Sequence, residues 1–219
     1  MTKNLPIFFL LGFFISCQQK HPSQSLVKKY LPQEQQDQNV PEIAGVKSIL
    51  DVPNEAHYFQ AKIGYTNFQV SDEDKVEKAI EIIKKVIASP EFRDRVINFS
   101  YNGKKQFVDT KLSNEQVYLA ILEGKETLRP VVDYEMDLDL QLYYSWRSTV
   151  GYTYPNQLKI FMNKKFFNRY TPAEVAGNIF HEWTHKLGFE HAFYYSISRD
   201  SSVPYALGYL IVNLGKQYE

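Results

Sequence analysis

The chain has 219 residues, with 25 acidic and 25 basic side chains and a formal net charge of zero. This balance gives no electrostatic reason to expect nucleic acid or an anionic surface as a partner. Hydrophobic residues make up 44% of the sequence, enough to build the core of one domain. We expect a monomer that binds no nucleic acid.

The N-terminus has the pattern of an export signal. A short basic start, residues 1–4, precedes an apolar run of eleven residues over 5–15. The run is too short to span a bilayer and has the length of a signal-peptide core. Ser16 and then Cys17, the only cysteine of the chain, follow this run. The segment resembles a bacterial lipoprotein signal, which implies a signal peptide over residues 1–16 and lipid on the Cys17 thiol.

Two alternatives to a lipoprotein signal stay open: a secretory peptide whose cysteine is incidental, and an uncut membrane anchor. By analogy with lipoprotein sorting, Gln18 after Cys17 favours the outer membrane. We therefore expect an exported bacterial lipoprotein of the cell envelope, at the outer membrane or the periplasmic face and anchored at Cys17. With a single cysteine, no disulfide can form within the chain.

Composition divides the rest of the chain into a tether and a domain. Residues 17–40 are rich in Gln, Lys, Ser and Pro and contain few large apolar side chains. Such a segment buries too little surface to offset the entropy of ordering it. We expect a lipidated cysteine followed by a disordered tether, and one domain over residues 41–219.

Hydrophobic periodicity predicts helices and strands in the first part of this domain. Ser71 with Asp74, and Ser113 with Gln116, have the spacing of helix capping boxes. The predicted elements, in chain order, are a long helix from Ser71 to Ser89, a short helix over 92–97, a strand over 106–109, a helix from Ser113 to Gly124, and strands over 134–142 and 158–163.

The strand over 134–142 has the clearest period of two, because apolar residues alternate with Glu135, Asp137, Asp139 and Gln141. This pattern favours a charged solvent face over a calcium site. Aromatic residues nearby would line a cleft or pack in the core, and the sequence does not separate these roles. They are Tyr143, Tyr144, Trp146, Tyr152 and Tyr154.

A capped amphipathic helix is predicted from residue 171. Thr171 is a good N-cap, Pro172 suits the first helical position, and Glu174 completes a capping box. An apolar stripe follows at helical spacing, formed by Val175, Ala176, Ile179, Phe180, Trp183 and Leu187. His181 and His185 are four residues apart, so they project side by side from the opposite face.

Gly188 stands where a left-handed residue would end this helix, and His191 follows three residues later. Catalytic zinc takes three protein ligands and keeps one position open for water, and this spacing brings three imidazoles to one ion. Glu182, adjacent to His181, can reach a water molecule on that ion. A histidine cluster without metal is the alternative. A structural zinc site is disfavoured because it usually requires a fourth ligand.

The stretch HEWTHKLGFEH, residues 181–191, resembles the H-E-x-x-H-x-x-G-x-x-H signature of the metzincin zinc metalloproteases, with all five marked positions matched. The resemblance implies that His181, His185 and His191 bind one Zn²⁺ per chain and that Glu182 is the general base. It also implies a single zincin-like α+β domain. Its parts would be a mixed twisted sheet, a long backing helix, an active-site helix and a very small C-terminal subdomain.

The same resemblance implies a substrate-binding edge strand, to which a peptide adds as an antiparallel strand. The order of elements assigns this role to the strand over 158–163, with Leu158, Ile160 and Met162. A last helix is predicted over 203–214.

Downstream of the histidines the chain departs from the family pattern. Metzincins place a methionine in a tight turn beneath the metal, whereas this chain has none after Met162. The corresponding segment is 202–205, with Pro204 at the position of the methionine. Tyr205 is the candidate for a tyrosine that approaches the metal or stabilises an oxyanion. A plain packing role is an alternative, and so are Tyr209 and Tyr194 in its place.

These features predict a zinc-dependent metalloendopeptidase that hydrolyses peptide bonds in a peptide or protein substrate. In this mechanism Glu182 activates a zinc-bound water. Two alternatives stay open. One is a catalytically weak or inactive zinc-binding lipoprotein of the envelope, and the other is a zinc amidase acting on cell-wall peptides.

Overall fold

The computed structural model describes residues 59–219. The predicted signal peptide, Cys17, the tether over 17–40 and the first part of the predicted domain lie outside the described residues. The elements, in chain order, are β1 (Gln60–Thr66), α1 (Val70–Ile87), α2 (Pro90–Ile97), α3 (Asn114–Glu123), β2 (Glu135–Tyr143), β3 (Gly151–Thr153), β4 (Lys159–Asn163), α4 (Lys164–Phe167), α5 (Pro172–Lys186) and α6 (Val203–Gly215), with short 3₁₀ turns at Arg199–Ser201 and Lys216–Tyr218.

The four strands form one mixed sheet in the order β1-β2-β4-β3. Strands β1 and β4 both pair with β2 in parallel, and β3 pairs with β4 antiparallel. The alternation predicted along β2 is present, with four buried apolar side chains at Met136, Leu138, Leu140 and Leu142. Asp137 on the other face is also buried, against the prediction of a solvent face, and its carboxylate pairs with Arg129 at 2.7 Å.

Helix α5 lies at the centre of the packing and contacts α1, α6, β3 and β4. Its apolar stripe enters one continuous core together with the apolar sides of α1 and β2. Trp183 is fully buried there, with its ring 5.7 Å from that of Phe59 and 5.5 Å from that of Phe180. The indole N–H of Trp183 donates to the Glu126 carboxylate at 2.7 Å, which satisfies the one polar atom of this side chain.

Helix α6 confirms the last helix predicted over 203–214, but it does not form a separate C-terminal subdomain. It packs on α5 and α1 and contributes Leu207, Ile211 and Leu214 to the same core. At the crossing of α5 and α6, a Cβ added to Gly177 would lie 2.8 Å from the carbonyl oxygen of Gly208. The two helices therefore approach closely enough for α6 to cover the histidine side of α5.

Two predicted elements differ from the structure. Helix α1 begins after Gln69 rather than at Ser71, since the backbone N–H of Gln69 donates to the Asp72 carboxylate at 3.1 Å. The predicted strand over 106–109 is not a strand; Val108 forms a single β-bridge with Ser202. The pattern also does not predict β1 and β3. Strand β3 has only three residues, too few for a visible alternation.

Strand β4 lies inside the sheet, because its main chain pairs with β2 on one side and with β3 on the other. The prediction that Leu158, Ile160 and Met162 belong to an edge strand is therefore wrong. Ile160 and Met162 also point into the core, with exposures of 0% and 2%. The strand at this edge of the sheet is β3, which contacts α5.

Residues 59–219 thus form a mixed α+β fold, as the sequence predicts at this level. The sheet combines parallel and antiparallel pairs, and α5 runs between it and α6. Within this part of the chain, no helix combines the length and the apolar character needed to cross a membrane.

Candidate metal centre

Helix α5 begins at the cap that the sequence predicts. The Thr171 hydroxyl accepts from the N–H of Glu174 at 3.4 Å, and the Glu174 carboxylate accepts from the N–H of Thr171 at 2.9 Å. Pro172 stands in the first turn, where its missing N–H is not needed. This start sets the register of the helix, so His181 and His185 lie one turn apart on the same side.

Both histidines are buried, each with 6% exposure, although they lie opposite the apolar stripe. Their ring centroids are 5.3 Å apart. Helix α6 covers them, since a Cβ added to Gly208 would lie 3.2 Å from the Cβ of His181. Helix α5 is therefore enclosed on its apolar side and on its histidine side.

Gly188 turns the chain at the end of α5, with a φ of +94° that favours glycine. The turn returns His191 to the helix, where its ring centroid lies 5.3 Å from that of His181 and 4.9 Å from that of His185. Ring nitrogens of the three histidines all lie within 4.8 Å of one another. The three side chains are therefore close enough to bind one metal ion.

Each of the three imidazoles uses one ring nitrogen for a hydrogen bond to a backbone carbonyl. The pairs are His181 with Pro204, His185 with Phe189 at 2.7 Å, and His191 with Ala192 at 3.0 Å. A carbonyl oxygen only accepts, so the bonded nitrogen carries the proton. In all three rings the Nε2 atom is buried and has no hydrogen-bond partner among residues 59–219.

Three buried nitrogen lone pairs that face no donor fit a metal ion. An unsatisfied buried polar atom costs about 1–3 kcal/mol, so a cluster that bound nothing would carry three such penalties in one place. Metal-ligating histidines characteristically donate their second ring N–H to a carbonyl or carboxylate, which fixes the ring. The donor set is three imidazoles, which suits zinc, copper, iron or nickel.

Burial also keeps the three rings in the neutral form that coordinates metal. It lowers the pKa of His181 well below the ordinary value of 6.5, and it lowers the pKa of His185 to about 3. Charge repulsion from the neighbouring histidines adds to both effects. The pKa of His191 is lowered as well, again mainly by burial. Proton competition for the nitrogens is therefore weak near neutral pH.

Glu182 is fully buried between α5 and the edge strand β3. A Cβ added to Gly151 would lie 3.1 Å from Oε1 of Glu182 and 3.1 Å from Oδ1 of Asn178. A side chain at this position would therefore require the carboxylate and the Asn178 amide to shift by a few tenths of an ångström. The carboxylate of Glu182, the residue that follows His181, thus lies against the strand that ends the sheet.

The segment expected to turn beneath the metal is instead the first turn of α6. The Tyr205 ring, with 2% exposure, packs against the imidazoles of His181 and His191 at centroid distances of 4.5 and 4.7 Å. An aromatic ring therefore packs directly against two of the three imidazoles. Of the alternative tyrosines, Tyr209 lies 6.1 Å from Tyr205, and Tyr194 is 80% exposed.

The aromatic residues around β3 form two groups of ring contacts. The larger group packs around Phe161 of β4, where the Tyr152 ring stacks at 4.6 Å; its other members are Tyr143 and Tyr154. The smaller group is an edge-to-face pair of Tyr144 and Trp146, which are 58% and 82% exposed. Tyr144 and Trp146 are therefore the members of the set most open to a ligand.

Lys186 is a residue of the site that sequence reasoning misses. Its side chain is buried, and its ammonium donates to the backbone carbonyls of Tyr154 and Gln157. Burial lowers the pKa of Lys186 to about 8. These two hydrogen bonds connect the last turn of α5 to the loop between β3 and β4. In the sequence, the signal for this role is a charged residue in the last turn of a largely apolar helix. The carbonyls that it contacts are about 30 residues away and cannot be identified from the sequence.

No protein-family model matches this chain, and a search of curated proteins found no match either. Function is therefore inferred from the chemistry of the site and from the sequence pattern. The geometry of the three histidines is the strongest constraint on that inference.

Proposed function

We propose that this protein is a zinc-dependent metallopeptidase with a zincin-like fold, which hydrolyses peptide bonds. One observation carries the proposal: within residues 59–219, three histidines each present a buried Nε2 atom without a hydrogen-bond partner, while a backbone carbonyl holds the other ring nitrogen. A buried glutamate follows the first of these histidines directly.

Zinc is the metal we propose, at one ion per chain, because three neutral imidazoles suit it and leave one position open. When bound, zinc supplies a Lewis acid and lowers the pKa of a water molecule at the open position toward about 7. The protein contributes the orientation of the three rings. Glu182 contributes the carboxylate that takes the proton from the attacking water.

Strand β3 is the strand to which we assign substrate binding, in place of the strand over 158–163. It ends the sheet, so a peptide in extended conformation would add to it by main-chain hydrogen bonds. Gly151 of β3 lies against Glu182. A peptide paired with β3 would therefore run past the carboxylate proposed as the base.

The proposed enzyme acts in the bacterial cell envelope, held at a membrane by lipid on Cys17. This part of the proposal rests on the sequence pattern of residues 1–40 alone. A tether at this position would let the domain work at a distance from the membrane surface.

Hydrolysis is tested with the purified full chain and with a Glu182→Gln variant, which keeps the shape of the buried side chain. We expect about one zinc per chain in both, measured by elemental analysis. Cleavage of a denatured protein mixture should be lower in the variant by about 10²–10⁴-fold, the usual contribution of a general base. Glu81→Gln, which removes an exposed carboxylate on α1, is the matched control and should cleave normally.

Equal cleavage by the full chain and Glu182→Gln would contradict the assigned role of Glu182. A chain that retains zinc but cleaves no peptide would favour the binding-lipoprotein alternative. Cleavage restricted to cell-wall peptides would favour the amidase.

A further inference from the structure

A further charged side chain, Arg199, is buried near the histidines and has no role in the proposed hydrolysis. The Arg199 side chain is only 5% exposed. Its guanidinium carbon lies 4.5 Å from the centre of the Tyr205 ring and 5.1 Å from the centre of the Tyr195 ring. Its Nε atom is buried and has no hydrogen-bond partner within residues 59–219.

Arg199 is connected to the metal centre through the ring of Tyr205. The Tyr205 ring that it contacts also packs on the imidazoles of His181 and His191. Burial is the main cause that lowers the pKa of His181 and His191, and the positive charge of Arg199 lowers both pKa values further.

Among the described residues, the charge of Arg199 has one weak counter-ion. The carboxylate recorded near it belongs to Asp200, whose Oδ1 lies 3.9 Å from Nε, beyond hydrogen-bond distance. That Oδ1 atom is itself left without a hydrogen-bond partner. A buried charge is costly unless it is both paired and hydrogen-bonded, so this guanidinium retains the capacity to bind a further anionic partner.

Backbone hydrogen bonds hold Arg199 in place at the start of the short 3₁₀ turn. Its N–H donates to the backbone carbonyl and the hydroxyl of Ser196, both at 3.1 Å. Its carbonyl accepts from the hydroxyl of Ser202 at 2.7 Å. The guanidinium is therefore pre-organised, which reduces the entropy lost on binding an anion.

We propose that Arg199 binds a carboxylate of the peptide substrate, close to the bond that is cleaved. The planar guanidinium fork matches a carboxylate in geometry and can hold it through two parallel hydrogen bonds. The carboxylate is an acidic side chain of the peptide or its free C-terminus. The inference rests on the proposed peptidase function, since it assigns the substrate class of the same site.

The test is equilibrium binding, by calorimetry, to the zinc-loaded full chain carrying Glu182→Gln so that no peptide is consumed. Three peptides differ only in their carboxylates. One has a Glu side chain and an amidated C-terminus, one has Gln with a free C-terminus, and one has Gln with an amidated C-terminus. We expect one carboxylate peptide to bind about 10–100-fold more tightly than the neutral peptide, as a charge-assisted pair predicts. The peptide that binds more tightly shows whether Arg199 binds a side-chain carboxylate or the free C-terminus.

Adding Arg199→Met should abolish this preference and leave affinity for the neutral peptide within about twofold. Arg147→Met, which removes an exposed arginine, is the matched control and should keep the preference. Equal binding of all three peptides by the chain that retains Arg199 would overturn the proposal, and this comparison requires no change at Arg199. A preference that survives Arg199→Met would also overturn it, because the carboxylate would then be bound elsewhere, for example by the metal.

Binding is read without turnover, so its outcome is independent of the cleavage assay. If the full chain cleaves no peptide but still prefers the carboxylate peptide, the peptidase function is refuted and the anion-binding role of Arg199 is supported. The reverse result would keep the peptidase and refute the role of Arg199.

Discussion

The metal centre joins two regions of opposite character. Helix α5 is a regular, capped helix whose side chains from Ala173 to Lys186 are buried except for Glu174. The segment that follows, residues 188–202, which we call the return segment, has one short 3₁₀ turn as its regular structure. It also exposes large apolar side chains, such as Tyr194 at 80% and Ile197 at 75%.

Each region contributes a different part of the site. Helix α5 sets the spacing of His181 and His185 by its geometry alone. The return segment contributes the third histidine and Arg199. It also supplies the carbonyls that hold the Nδ1 atoms of His185 and His191. The difference indicates where the site is weakest, because local unfolding begins in segments with few buried apolar contacts.

The strongest test of this division is His191→Ala, which removes the ligand of the return segment and leaves α5 intact. Loss of a carbonyl or carboxylate that supports a ligand costs about 10–100-fold in metal affinity, so loss of the ligand itself should cost more. We expect zinc affinity, measured by competition with a chelator, to fall by more than about 100-fold. The helix content of the metal-free variant, measured by circular dichroism, should not change.

His57→Ala, which alters the histidine nearest in sequence outside the motif, serves as its control. It should bind zinc like the unmodified chain. Zinc affinity within about tenfold of normal in His191→Ala would mean that α5 alone holds the metal.

Acid unfolding distinguishes the two regions by a second, smaller effect. Burial lowers the pKa of His185 to about 3 in the folded chain, whereas the unfolded chain takes up the proton near the ordinary value of 6.5. The unfolded state therefore binds more protons below about pH 6.5, and the stability of the metal-free protein falls as the pH decreases. One such histidine contributes a slope of about 1.4 kcal/mol per pH unit.

We expect His185→Gln to remove about one proton from this dependence between about pH 6.5 and pH 5, measured by urea unfolding in the presence of a chelator. His191→Gln should remove less, because its pKa is lowered less strongly than that of His185. Equal slopes in the unmodified chain and His185→Gln would show that this ring is not held neutral by the fold.

The sequence predicts the helical half of this site better than the other half, for a physical reason. The cap at Thr171 and the spacing of His181 and His185 depend on residues within one or two turns of each other. The carbonyl of Pro204, by contrast, supports His181 only because α6 packs across α5. Every residue has a backbone carbonyl, so the type of residue at position 204 does not indicate that it would accept a hydrogen bond from His181.

The order of the strands could not be read from local patterns either. The alternation in β4 is real, but it does not show that β3 lies outside it. The burial of Asp137 depends on Arg129, eight residues earlier and in no regular element. Pairings of this kind follow from packing, which single-sequence periodicity does not describe.

The smallest effect should come from the junction of the two regions, where Gly188→Ala can be compared with Gly103→Ala. Both glycines have a positive φ, +94° and +75°, so each alanine should cost about 1–2 kcal/mol in the free energy of unfolding. At Gly103 a Cβ meets nothing within 4 Å, whereas at Gly188 it lies 3.3 Å from the methyl of Thr127. Only Gly188 sets the direction of the chain toward His191.

We therefore expect urea unfolding of the metal-free proteins to show similar losses of stability in the two variants. Zinc affinity should fall only in Gly188→Ala, and by less than in His191→Ala, because the ligand is displaced rather than removed. If both variants bound zinc equally well, the turn would not be what positions the third ligand. The contacts of Ala192 and the residues after it would then have to hold His191 in place.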